Sequence, residues 1–201
     1  MNRPAMSASA TARPPTDARA RRAERLAVAQ ALQGAGLDWA GLDACPTWLA
    51  RTEAERDLLA SHAGAWWLAA SLRGCIDGQR LARVCDLLGE ARLNALRDDP
   101  ASARAEALGQ APAPLLPPAD DVPQHLLACG RALLDWSLPP AVRGPVLQQM
   151  GWTVDERHHA AFAAHPDWAC QALQRVLDEA VPAETQNADT NEEAENYEFN
   201  S

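Results

Sequence analysis

The stretch Ser71–Asp98, SLRGCIDGQRLARVCDLLGEARLNALRD, contains the clearest helix boundaries of this chain and decides its fold class. Gly74 ends one helix, because glycine adopts the left-handed C-terminal conformation without steric cost. Asp77 is an N-cap residue, whose carboxylate accepts the free backbone N–H groups of the next helix. Ile76, between them, is expected to be a buried plug. The stretch therefore predicts the end of one helix, a tight turn and two short helices.

Apolar side chains recur at helical spacing through the rest of this stretch. They are Leu81, Val84, Leu87, Leu88, Leu93 and Leu96. Gly89 separates the two short helices, and the run Asp-Asp-Pro at 98–100 ends the second. The stretch contains no nucleophile, metal or phosphate motif, so by physical chemistry alone it indicates a helical module.

A longer helix is predicted at Glu53–Arg73. Thr52 and Glu55 form a capping box at its start, and its apolar residues cover most of the circumference, which is typical of a central helix. Trp66 and Trp67 are adjacent, so their side chains point about 100° apart. We expect Trp66 in the core and Trp67 at a seam or an interface.

The chain as a whole is predicted to be all-α, with about eight short to medium helices in one compact domain or two small lobes. No segment shows the alternation typical of a strand. The N-terminal helical half covers 17–108 and the C-terminal half covers 124–182. Between them, 109–123 holds five prolines, which a helix does not tolerate, and is interpreted as a linker between the halves or a loop over the core. An Arg-, Ser- and Ala-rich tail at 1–16 and an acidic tail at 183–201 are expected to be disordered.

Composition argues against several classes of protein. The 201 residues are 47% hydrophobic, which is enough for a helical core. The net charge of −9 argues against nucleic-acid binding, which depends on neutralising phosphates. Five scattered cysteines without a C-x-x-C pair are typical of reduced thiols in the cytosol. No apolar run reaches the ~18 residues of a membrane span, and no secretory signal is present. A cytoplasmic location is expected.

The ionisable residues form no recognisable catalytic or metal-binding motif. His158, His159, His165 and Cys170 are the one cluster of metal-ligand types, and their spacing differs from H-E-x-x-H. His62 lies on an apolar helix face, where a core histidine with a polar partner is commoner than a ligand. We therefore expect no enzyme activity, no cofactor and no metal.

Three parts of the chain resemble the SctK proteins, also called the YscK/OrgA type, which are cytosolic accessory proteins of bacterial type III secretion. The resemblance covers roughly 37–180. Its motifs are Leu-Arg-Gly-Cys-Ile-Asp-Gly at 72–78, Leu-Leu-Gly-Glu at 87–90, Leu-Asn-Ala-Leu at 93–96, Cys-Pro-Thr-Trp-Leu at 45–49 and the helical part from Leu133 to Trp152. These motifs are packing signals rather than catalytic signatures.

The resemblance implies a non-enzymatic adaptor of the secretion sorting platform, needed for protein secretion and virulence. Such an adaptor lies at the cytosolic face of the inner membrane without inserting into it. It joins the inner-membrane ring protein (SctD) to the platform protein SctQ and the ATPase regulator SctL. The contact residues of the family do not map onto this sequence. The residues expected to bind partners are Trp48, Trp67, Arg73 and Asp77.

Three alternatives stay open at this point. The first is a type III secretion chaperone or regulator that holds an effector, which substantial strand content would favour. The second is a small helical ligand-binding protein or enzyme, which a deep pocket around His158–His165 would favour. The third is a DNA-binding regulator that uses the Arg-rich N-terminal tail.

Overall fold

The computed structural model describes residues 16–179, and side chains from residue 19 onward. All regular structure in this range is helical and none is strand, so the predicted all-α class is confirmed. The α-helices are α1 (Thr16–Ala31), α2 (Trp39–Asp43), α3 (Glu53–Trp67), α4 (Ala69–Arg73), α5 (Gly78–Leu88), α6 (Glu90–Asp98), α7 (Pro100–Ala107), α8 (Val122–Trp136), α9 (Pro140–Met150), α10 (Glu156–Ala164) and α11 (Pro166–Glu179). Two 3₁₀ turns lie at Thr47–Ala50 and Ala119–Asp121.

The described residues contain more helices than the eight or so expected, for two local reasons. The helix predicted at Glu53–Arg73 is divided at Leu68, whose backbone (φ −93°, ψ 16°) leaves the α-helical region between α3 and α4. The second reason is α2, a helix of only five residues. Asp38 caps it by accepting a hydrogen bond from Gly41 N at 2.8 Å.

The helices group into two compact units that interleave along the chain. Within the described residues, the first unit consists of 16–51 and 139–150, and the second of 52–138 and 151–179. The two halves and the linker predicted from the sequence follow one another along the chain. That division stays a prediction. The tails predicted at 1–16 and 183–201 lie outside the described residues, except for Thr16, where α1 begins.

In the first unit, α1 packs against α2 and against the 3₁₀ turn that precedes α3. Val28 on α1 and Leu32, directly after its end, are buried, and Trp48 and Leu49 are buried in the turn. Trp39, at the start of α2, is by contrast 73% exposed.

In the second unit, α3 and α8 form the central pair, with α11 packed along α3 and α10 along α8. Every residue from Leu59 to Ala70 is buried, which confirms the predicted central position of this helical segment. Helix α5 contacts α3, α6 and α8, and α4 contacts α6 and α7. No helix in the described range is long and apolar enough to cross a membrane.

Candidate protein-interaction surface

Two of the four residues expected to bind partners lie in the interior. Trp48 in the first unit and Trp67 in the second each expose only 3% of their surface. A partner would have to displace local packing to reach either ring. That Trp48 and Trp67 bind a partner stays a prediction.

Trp67 lies at an internal seam of the second unit, between α3, α10 and α11. Its ring meets Phe162 edge to face, with 4.7 Å between ring centroids, an arrangement that aromatic quadrupoles favour. Its backbone carbonyl accepts a hydrogen bond from Trp168 Nε1 at 3.0 Å. The His165 ring lies 6.4 Å away. These contacts explain why the ring is covered, as the ring of Trp66 also is.

Arg73 fastens the end of α4 to the junction of α6 and α7. Its Nη2 donates to the backbone carbonyl of Asp99 and, at 2.8 Å, to Ser102 Oγ. The side chain is half-buried. Its described contacts are therefore structural ones within the unit, and its role towards a partner stays a prediction.

Asp99 is the centre of a buried polar network that the sequence did not reveal. Its Oδ1 lies 2.8 Å from Arg175 Nη2, and its Oδ2 accepts from Ser102 N at 2.7 Å as the N-cap of α7. The Arg175 guanidinium also lies 5.4 Å from the Trp66 ring. Arg73 and Arg175 are far from Asp99 in sequence, so no local pattern could have indicated their contacts with it.

Asp77 has the capping role that the sequence predicted. Its Oδ1 accepts hydrogen bonds from Gln79 N at 2.9 Å and Arg80 N at 3.3 Å, at the start of α5. Its Oδ2 lies 3.5 Å from Arg80 Nε. The N-cap prediction is confirmed, and the side chain is half-buried at the rim of a surface concavity.

Ile76, by contrast, is not the buried plug that was expected, since 99% of its surface is exposed. The prediction assumed a left-handed Gly74. Gly74 instead has φ −74° and ψ −6°, in the right-handed region. The turn from Gly74 to Asp77 therefore follows a different path and leaves the Ile76 side chain outside the core.

The exposed Ile76 borders an open cavity of about 350 Å³, which we name the Ile76 groove. The α4–α5 turn and residues 113–116 of the proline-containing segment 109–123 both contribute to its lining. Ser71 Oγ donates to the Pro114 carbonyl at 2.8 Å and so holds this segment against α4. Leu115 is 97% exposed. The groove is lined chiefly by Ala70, Gly74, Ile76, Asp77, Arg80, Glu106, Pro114 and Leu115.

Two fully exposed aliphatic side chains beside one concavity are a feature of interaction surfaces. A single exposed leucine or isoleucine needs no explanation, but apolar groups gathered at a groove rimmed by polar residues mark binding sites. The groove includes part of the stretch 71–98 that carries the resemblance described above. Periodicity could not have indicated it, because helical patterning predicts which residues are inside and not which turn projects outward.

A cluster of one cysteine and two histidines, side chains that can act as nucleophile or base, lies between α8 and α10. Cys129 Sγ is 3.4 Å from His158 Nε2 and 3.7 Å from His125 Nε2. Burial raises the pKa of the Cys129 thiol to about 12, so it stays protonated at neutral pH and is a poor nucleophile. Burial also lowers the pKa of His125 and of His158, which favours neutral imidazoles. The cluster is therefore a neutral, polar part of the core.

The four residues considered as metal ligands from the sequence are not brought to one point. His158 contacts Cys129, while His159 Nε2 lies 2.9 Å from the fully buried Asp135 Oδ2. His165 lies beside Trp67, and Cys170 is exposed. Among the described residues, no group of three or more His, Cys, Asp or Glu side chains is placed to hold a metal ion.

His62 is a core histidine with a polar partner, as predicted. It is 7% exposed, and its Nε2 lies 3.2 Å from Glu179 Oε2. Burial, with a smaller contribution from the charge of Arg92, lowers its pKa to about 4. The imidazole is therefore neutral at pH 7, and the contact is a neutral donor facing a carboxylate rather than an ion pair.

Comparison with known proteins identifies no relative: no family model matches the chain, and neither a curated protein nor a solved structure is similar to it. Function must therefore be inferred from the residues of this chain.

Proposed function

We propose that this chain is a non-enzymatic adaptor of a bacterial type III secretion sorting platform. In this role it links the cytosolic domain of an SctD-like inner-membrane ring protein to an SctQ-like platform protein and an SctL-like ATPase regulator. It works at the cytosolic face of the inner membrane and is needed for protein secretion. Its contribution is binding and spacing, not chemistry.

The observation that carries the proposal is the Ile76 groove within the stretch of SctK-like sequence. Ile76 and Leu115 are almost completely exposed on a unit whose other large aliphatic groups are mostly buried. Keeping two such groups in water lowers solubility without stabilising the fold, so a binding role accounts for them best. Helices α8 and α9 agree with the helical part from Leu133 to Trp152 that the resemblance includes.

The alternative of a secretion chaperone or regulator gains no support from these features. Strand content was the property that would favour it, and residues 16–179 contain none. The alternative of a helical enzyme gains none either, because Cys129, the thiol beside His125 and His158, is held in its protonated form.

Affinity purification tests the proposal. The tagged full chain is expressed in a type III-competent bacterium that encodes it, and the co-purifying proteins are identified by mass spectrometry. We expect enrichment of SctQ-, SctL- and SctD-like proteins. The Ile76→Asp variant should lose at least one of them, whereas Leu58→Asp, at an exposed leucine outside the groove, should lose none. Enrichment of no secretion component by the wild-type chain would reject the proposal.

A further inference from the structure

The charged groups of the Ile76 groove are not equally available to a ligand. Asp77 and Arg80 face each other across 3.5 Å, and the Asp77 carboxylate is also occupied as the cap of α5. Glu106 is exposed, and its carboxylate makes no hydrogen bond or ion pair with any other residue in the described range. The charge that the groove offers to a partner is therefore negative.

The apolar part of the groove is provided by Ile76 and Leu115, beside a cavity of about 350 Å³. A cavity of about 150 Å³ already holds a benzene ring, so this volume holds roughly two aliphatic side chains. The cavity is open on its outer side, where both residues project into solvent. It is thus shaped for side chains that enter from a neighbouring chain.

We propose that the Ile76 groove binds a basic, aliphatic segment of another protein. One or two Leu, Ile or Met side chains of that segment fill the cavity between Ile76 and Leu115, and a Lys or Arg pairs with Glu106. Two charge observations favour this occupant over an acidic one: the unpaired Glu106 at the groove and the net charge of −9 of the whole chain, which attracts cationic segments and repels anionic ones. The inference rests on the proposed function in taking a protein as the occupant, but it requires no particular secretion component.

A random 12-residue peptide library displayed on phage tests the inference without assuming a partner. The library is selected on the immobilised full chain, and the enriched phage are then bound to three variants. Ile76→Asp and Leu115→Asp remove the apolar contacts, and Glu106→Lys reverses the available charge. Leu58→Asp is the matched control outside the groove. Each variant is first checked for an unchanged helical circular dichroism spectrum and melting temperature, because Leu58 is only 43% exposed, whereas Ile76 and Leu115 are almost fully exposed.

We expect enriched peptides that combine Leu, Ile or Met with Lys or Arg. Their binding should fall at least tenfold on Ile76→Asp and on Leu115→Asp and stay unchanged on Leu58→Asp. Selection on Glu106→Lys should enrich acidic peptides instead. Enrichment of acidic or uncharged peptides on the wild-type chain, or binding unaffected by the groove variants, overturns the inference, as does the absence of any enrichment.

Two further outcomes also overturn it. If light scattering shows a dimer of the wild-type chain that Ile76→Asp converts to a monomer, the groove is occupied by a second copy. If the groove variants bind the peptides normally yet lose secretion partners, Ile76 belongs to the partner-binding surface, but the groove does not bind basic, aliphatic segments. Conversely, if basic peptides bind the wild-type chain but not the groove variants, and no secretion protein co-purifies, the inference stands and the proposed function is rejected.

Discussion

Gly64 of α3 and Gly130 of α8 face each other where the two helices cross, so that backbone meets backbone. A Cβ atom on Gly64 would overlap the carbonyl oxygen of Leu126, and one on Gly130 would overlap the carbonyl oxygen of Ala60. These neighbours are main-chain atoms, which cannot move away by changing a rotamer. The close crossing at the centre of the second unit therefore requires glycine at both positions.

Substituting either glycine should destabilise the protein strongly. Gly64→Ala and Gly130→Ala should each lower the free energy of unfolding by about 3 kcal/mol or more, because the helices must separate to admit a methyl group. Urea denaturation followed by circular dichroism measures the change. Gly78→Ala is the matched control, since Gly78 lies in the first turn of α5 and nothing lies within 4 Å of a Cβ built there. It should change the free energy of unfolding by less than about 1 kcal/mol. A Gly130→Ala variant as stable as wild type would contradict the described crossing.

Removing the buried Asp99 carboxylate should also be costly. Asp99→Ala leaves the Ser102 N–H without its cap and removes the partner of Arg175. We expect a loss of about 2–3 kcal/mol, most of it from the buried cap, because Arg175 is partly exposed and its ion pair is screened. Asp99→Asn keeps an acceptor for Ser102 and should lose about half as much. Asp98→Ala, at the exposed neighbouring residue, should change stability by less than about 0.5 kcal/mol. Equal losses for Asp98→Ala and Asp99→Ala would exclude the network as described.

His62 should make the protein less stable in mild acid. Its pKa is about 4 in the fold and about 6.5 when unfolded. Between these values the unfolded chain binds a proton that the folded chain does not, so the free energy of unfolding falls as pH falls from 6.5 to 4. The contribution is on the order of 3 kcal/mol, at 1.36 kcal/mol per unit of pKa.

The His62→Gln variant isolates this effect from other titrating groups. Burial raises the pKa of the adjacent Glu179. This raised pKa stabilises the folded state at low pH, and the stabilisation is lost as pH rises, so its pH dependence is opposite to that of His62. The difference in unfolding free energy between wild type and His62→Gln, measured by urea denaturation at pH 7.5, 6, 5 and 4.5, should therefore shrink or reverse in sign towards pH 4.5. A difference that does not depend on pH would show that His62 is not neutral in the folded core.

The cysteines should react at very different rates in the native protein. Cys129 is buried with its pKa raised to about 12, whereas Cys170 is exposed. Because the thiolate is the reacting species, iodoacetamide at pH 8 should label Cys170 at least about 100-fold faster than Cys129. Peptide mass spectrometry after timed quenching measures both rates, and labelling in urea is the control. Native labelling of Cys129 as fast as Cys170 would contradict the described packing of α8 and α10.

Local sequence signals predicted much of the secondary structure, because capping is a local interaction. Asp77 and the Thr52–Glu55 box are confirmed, the latter with Glu55 Oε2 accepting from Thr52 N at 2.8 Å. The same local reasoning failed at Ile76. Its burial depends on the path of the chain after Gly74, and hydropathy does not specify that path.

The candidate site was less predictable than the helices, because it depends on contacts between distant segments. The Ile76 groove exists because Ser71 holds the carbonyl of Pro114, and the Asp99 network joins α4, α7 and α11. Trp67 shows a second limit of prediction from the sequence. Its position on α3 predicted a seam, but the sequence could not tell an internal seam from a surface that binds a partner.

Reconstitution with purified components tests the central claim most directly. The full chain is mixed with the SctQ-like protein and with the cytosolic domain of the SctD-like protein of the same bacterium, and complexes are separated by size-exclusion chromatography with light scattering. The adaptor role predicts one peak that contains all three proteins, and no complex of the two partners when the chain is left out. A chain that binds neither partner, or two partners that exclude each other, would contradict it.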